Sequence, residues 1–140
     1  MNSKTTYQIN ISASTRNLSD VRDFITNHAE SYGFVADQIA DIRLAVDEAV
    51  TNIIKHAYQN DPSQEINISL KFNDPELCIF LTDTGKTFEF GTYKQPDIKK
   101  QIEQKKRGGM GVYLIHSLMD KVTYTRKGQK NRMIMCKNRK

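Results

Sequence analysis

The stretch Ile66-Asn67-Ile68-Ser69-Leu70-Lys71-Phe72-Asn73-Asp74-Pro75-Glu76-Leu77-Cys78-Ile79-Phe80-Leu81-Thr82-Asp83 decides the fold. In its first half, apolar Ile66, Ile68, Leu70 and Phe72 alternate with Asn67, Ser69 and Lys71, the period of a strand with one buried face. Asn73-Asp74-Pro75 is turn chemistry. Leu77 to Leu81 then runs apolar without a break, and Leu77 to Thr82 reads as a strand buried on both faces. Two strands at hairpin spacing predict antiparallel pairing. Upstream, Tyr7, Ile9 and Ile11 alternate with Gln8, Asn10 and Ser12 as another half-buried strand.

Helical periods fill the space between these strands. Asn17 or Ser19 is positioned to cap a helix from about Leu18, with Val21, Phe24, Ile25 and His28 to Ala29 on one side and Gly33 as its stop. Asp37 is positioned to cap a longer one reaching about Tyr58, with Ile39, Ile42, Val46, Ala49, Ile53 and Ala57 at steps of three and four. A third helix is expected over about Met110 to Met119. The last two strands are expected over Lys121 to Arg126 and Arg132 to Lys137, joined through Gly128. The order β-α-α-β-β-loop-α-β-β predicts an α+β fold: a mixed, mostly antiparallel sheet with helices on one face.

The chain has 140 residues, the size of one domain on the scale of roughly 100–200 residues per domain. Its longest apolar run, Leu77 to Leu81, falls far short of the roughly 20 residues of a membrane span. The first ten residues lack the apolar core of a signal peptide. Cys78 and Cys136 are too few for a disulfide framework or a metal site alone, and as free thiols they point to a reducing, cytoplasmic compartment. The net charge of +5 is unevenly spread. Residues 1–83 carry 6 basic and 12 acidic side chains, residues 84–107 carry 7 and 3, and residues 121–140 carry 8 basic and none acidic. Such a distribution suits an anionic ligand or partner, either nucleotide phosphate or nucleic acid. For the last residues a solvated basic tail is the simpler reading.

Three local features carry chemistry. Glu48 and Asn52 stand four residues apart, about 40° on the helical wheel, at the rim of the apolar stripe. A carboxamide oxygen there can ligate a hard cation such as Mg²⁺, and the carboxylate can accept a proton. Spacing alone favours ordinary helix polarity. Asp83-Thr84-Gly85 follows directly on a strand, where Asp can accept from an amine such as that of adenine; a simple turn uses the same residues. Gly108-Gly109-Met110-Gly111 opens a helix beside Lys105, Lys106 and Arg107, an arrangement that lets backbone N–H groups approach an anion. It is neither a Walker A loop nor a dinucleotide fingerprint.

In their order and spacing, Glu48-Ala49-Val50-Thr51-Asn52, Asp83-Thr84-Gly85 and Arg107-Gly108-Gly109-Met110-Gly111 resemble the N, G1 and G2 boxes of the GHKL (histidine kinase-like) ATPase superfamily. The resemblance covers essentially the whole chain and is closest to the anti-sigma factor serine/threonine kinases of the SpoIIAB/RsbW type. It implies a two-layer α/β sandwich of Bergerat type, a single domain over residues 1–140, and ATP and Mg²⁺ as cofactors. It also implies phosphorylation of a STAS-type anti-anti-sigma protein, capture of a sigma factor and homodimer formation. Carried over by position, Asn52 matches the Mg²⁺ ligand, Glu48 the general base, and Asp83 the adenine acceptor with Gly85 making room. Gly109, Met110 and Gly111 match the phosphate loop, Arg107 the arginine before it, and Arg22 a partner-docking residue. Residues 86–106 match the ATP lid.

Two departures stand out. Thr87 replaces the second glycine of the family's G1 box, which keeps open an ATP-dependent binding module without kinase activity. Lys130-Asn131-Arg132 stand where a Gly-Thr pair is common, so the second adenine contact is unassigned; Thr125 is one available hydroxyl. Nucleic-acid binding ranks below both readings, because aromatics do not interleave with the basic residues.

Overall fold

A computed structural model of the chain describes residues 4–85 and 109–140. Five strands form one sheet: β1 (Lys4–Ser12), β2 (Glu65–Asn73), β3 (Glu76–Asp83), β4 (Lys121–Lys127) and β5 (Lys130–Asn138). Their order is β1-β2-β3-β5-β4 and every described pairing is antiparallel. The parallel component allowed by the sequence reading is absent from the described strands. Among the described residues three α-helices accompany the sheet: α1 (Leu18–Ser31), α2 (Ala36–Asn52) and α3 (Gly109–Leu118).

Alternation explains the layers. Along β3, Leu77, Ile79, Leu81 and Asp83 are buried, while the residues between them are half-buried. This corrects the expectation of a strand buried on both faces. The described helices cover one face, so an apolar run need not mean two covers. Ile66, Ile68 and Leu70 of β2 and Met133 and Met135 of β5 join the covered face. Against them pack Val21, Ile25 and Ala29 of α1, Ile42, Val46, Ala49 and Val50 of α2, and Ile115 of α3.

The predicted long helix is two pieces. α2 gives way at Asn52 to a π-helical turn, Ile53–Ala57, closed by a 2.9 Å bond from Tyr58 N to Ile53 O. The expected caps also differ. Val35, not Asp37, precedes α2, and neither it nor Asn17 gives a side-chain cap. Asn17 Nδ2 instead donates back to Ser12 O and Ser12 Oγ, tying the start of α1 to the end of β1.

On the open face, Cys78 of β3 and Cys136 of β5 are direct register partners, with Cα atoms 4.1 Å apart, and form a disulfide. The expectation of two free thiols is therefore corrected: antiparallel pairing brings together residues 58 positions apart. The basic last segment is also partly explained. Lys121 pairs with Glu76 at 2.9 Å, and Lys137 donates to Leu118 O at 2.7 Å, at the end of α3. Arg139 binds Asp74 and Tyr32 O and lies over the Phe72 ring.

Candidate functional site

The carboxyl ends of α2 and β3 and the amino end of α3 meet at one end of the sandwich. Glu48 and Asn52, both half-buried, lie against the first turn of α3. A Cβ added at Gly111 would stand 2.9 Å from Glu48 Oε2 and 3.5 Å from Asn52 Nδ2. A side chain at 111 would therefore displace the Glu48 carboxylate. Gly109 and Met110 open α3 on the approach to that contact. Arg107 and the 86–106 segment lie outside the described residues.

Asp83 completes the group from the sheet. It is 6% exposed and continues the core-facing row of β3, so its carboxylate reaches the helix side of the sheet. Its Oδ1 accepts from Gly85 N at 2.9 Å and from Asn131 Nδ2 at 3.0 Å. Gly85 has no room for a side chain, because a Cβ would stand 2.6 Å from the Ala57 carbonyl oxygen. Tyr58 fixes the same corner: its hydroxyl donates to Glu65 O at 2.7 Å and accepts from Thr84 N at 2.8 Å. Ala57, Tyr58, Asp61, Gln64, Thr84 and Gly85 border an open depression of about 350 Å³. Hydrogen bonds from the Ser63 hydroxyl, then its backbone N–H, then Gln64, hold the Asp61 carboxyl below the usual carboxylate range.

Most of the predicted residues thus converge, but Arg22 serves a different contact. Its Nε binds Asp47 Oδ2 at 2.9 Å and Oδ1 at 3.2 Å, joining α1 to α2 beside Glu48. Asn131 and Tyr58 escaped the sequence reading. The pairing Asp83↔Asn131 would have exposed the first, but neighbouring strands β3 and β5 are separated in sequence by residues 84–108, α3 and β4. Thr125 does not fill the unassigned position. It pairs with Arg132, whose other neighbour is Thr82, so this row faces away from the row of Asp83.

Compared with known proteins, residues 11–137 match the family model of the histidine kinase-like ATPase domain. The chain belongs to the histidine kinase-like ATPase family. Within that family it is similar to curated relatives named serine-protein kinase RsbW. It is 34% identical to the one from Bacillus cereus over 119 residues, 82% of this chain and 74% of the relative. It is 33% identical to the one from Halalkalibacterium halodurans over 121 residues, 84% and 74% of the two chains. Its branch of the histidine kinase-like ATPases is that of the serine-protein kinases, which use a nucleotide. Solved structures agree on the fold. The SiaB–SiaC complex from Pseudomonas aeruginosa matches with a TM-score of 0.73 at 11% identity, over 93% of this chain and 88% of that one. The RsbU and RsbW domains of Rv1364c from Mycobacterium tuberculosis match with 0.70 at 17% identity, over 96% of this chain and 32% of that longer one. Among the described residues no helix is long and apolar enough to cross a membrane.

Proposed function

We propose that this chain is an ATP-dependent protein serine/threonine kinase that phosphorylates a STAS-type anti-anti-sigma protein and sequesters a sigma factor in the cytoplasm. The observation that carries the reading is the contact of Gly111 with Glu48 and Asn52, with Asp83 at the adjoining strand end. A carboxylate, a carboxamide, a helix start and a buried Asp at one end of the fold support that reading.

Each residue has a role in this reading. Asp83 accepts from the exocyclic amine of adenine, and Gly85 leaves space for the base. The N–H groups of Gly109, Met110 and Gly111 bind phosphate at the start of α3, and Arg107, close before them in the sequence, adds positive charge. The oxygen donors of Asn52 and Glu48 suit a hard cation, and the two side chains stand together beside Gly111, where a Cβ would lie 2.9 Å from Glu48 Oε2. Asn52 would hold the Mg²⁺, which neutralises phosphate charge when bound. Glu48 takes the proton from the substrate hydroxyl as its oxygen bonds to the γ-phosphorus; the bond to the bridging oxygen breaks and ADP leaves. Arg22 belongs to the partner-docking surface, and the working unit is a homodimer.

The test is phosphate transfer from ATP to the cognate STAS protein. Glu48→Gln should lower the rate roughly 100- to 10,000-fold, the usual worth of a general base, while ATP affinity changes little. Undiminished transfer by that variant would remove Glu48 from the chemistry.

A further inference from the structure

Three consecutive strands place Arg126, Asn131 and Asp83 in one cross-strand row: Arg126 pairs with Asn131, and Asn131 with Asp83. Their side chains are joined in that order. Arg126 Nη1 donates to Asn131 Oδ1. Asn131 Nδ2 donates to Asp83 Oδ1 and to Gly85 O, each at 3.0 Å. The amide has only one orientation that satisfies these partners. A guanidinium can only donate and a backbone carbonyl can only accept, so oxygen must face Arg126 and nitrogen must face Gly85. With Gly85 N also donating, Asp83 Oδ1 has two donors, while no bond among the described residues engages Oδ2.

We propose that the Arg126–Asn131 pair positions Asp83 so that only Oδ2 meets the base, making the site selective for a purine with an exocyclic amine. Asn131 is a positioning residue: it acts through Asp83 and through the Gly85 carbonyl, and Arg126 acts through Asn131. The row gives one member of the basic β4–β5 hairpin a task at the site that is not phosphate binding. The proposal rests on the reading of Asp83 as the adenine acceptor.

The experiment measures affinities for ATP and for inosine triphosphate, which carries a carbonyl in place of the amine, by calorimetry on the full chain. Asn131→Asp keeps the shape and exchanges a donor for an acceptor against Asp83. It should weaken ATP binding by roughly 10- to 100-fold, the worth of a hydrogen bond to a charged group, and change inosine triphosphate binding far less. The preference for ATP then shrinks. Asn131→Ala should shrink it similarly, and Arg126→Gln, at an exposed position, should shrink it by only about threefold. A merely structural role would weaken both nucleotides together and leave their ratio unchanged, and that result overturns the proposal. Asp83→Asn separates the two layers of inference. If it abolishes the preference while Asn131→Ala and Arg126→Gln preserve it, the relay is wrong and the Asp83 reading stands. If Asp83→Asn also preserves it, the Asp83 reading fails first.

Discussion

At one end of the β3–β5 pair Cys78 and Cys136 share a covalent bond, whereas at the other Asp83 and Asn131 meet through a 3.0 Å hydrogen bond. The covalent end is fastened further. Arg139 ties the β2–β3 turn to the end of α1, Lys137 holds the end of α3, and buried Gln38 of α2 donates to Asn138 O at 2.8 Å. The hydrogen-bonded end instead gathers groups that can accept a ligand: Glu48, Asn52, the start of α3, and Asp83 with its second oxygen unengaged among the described residues. One sandwich therefore separates its two demands along the strand axis. Fastening is concentrated where the helices α1 and α3 finish, and the proposed binding site lies where α2 finishes and α3 begins.

The comparison can be broken by variants that cross the two roles. The largest stability effect belongs to the disulfide. Replacing both Cys78 and Cys136 by Ser should cost up to about 4 kcal/mol in the chain-entropy picture, and reduction of the natural protein should cost the same. Denaturant unfolding with and without reductant measures both, and nucleotide affinity at low denaturant should not move. Gly85→Ala tests the other end. Its Cβ meets a backbone oxygen that cannot swing aside, so a loss of about 1–3 kcal/mol should come with weakened nucleotide binding. If the cysteine variant weakened binding more than Gly85→Ala, the two ends would not be separate. The smallest effect is that of Arg139→Ala, about 1–2 kcal/mol of stability with unchanged nucleotide affinity, because its ion pair with Asp74 is partly exposed.

Much of this was legible from residues alone. Strand periods in 66–72 and 7–12 reflect one covered face and located β2 and β1. The resemblance to the three family boxes, and not spacing alone, pointed to Glu48, Asn52, Asp83 and the Gly109–Gly111 segment. What stayed hidden was long-range register. No local pattern tells that Cys78 faces Cys136 or that Asp83 faces Asn131, since both follow from β3 pairing with β5, a strand that begins 47 positions after Asp83. The break of α2 into a π turn was hidden for a related reason. Apolar spacing continues through Ile53 and Ala57, and the extra residue in the turn shows only in the hydrogen bond from Tyr58 to Ile53.

The bond between Cys78 and Cys136 also changes what kind of object the chain is. From 78 to 136 the backbone is a closed ring, and that ring contains the Asp83 corner, the 86–106 segment, α3 and the β4–β5 turn. A single proteolytic cut anywhere within it yields two pieces that still travel as one molecule, and they part only when the sulfurs are reduced.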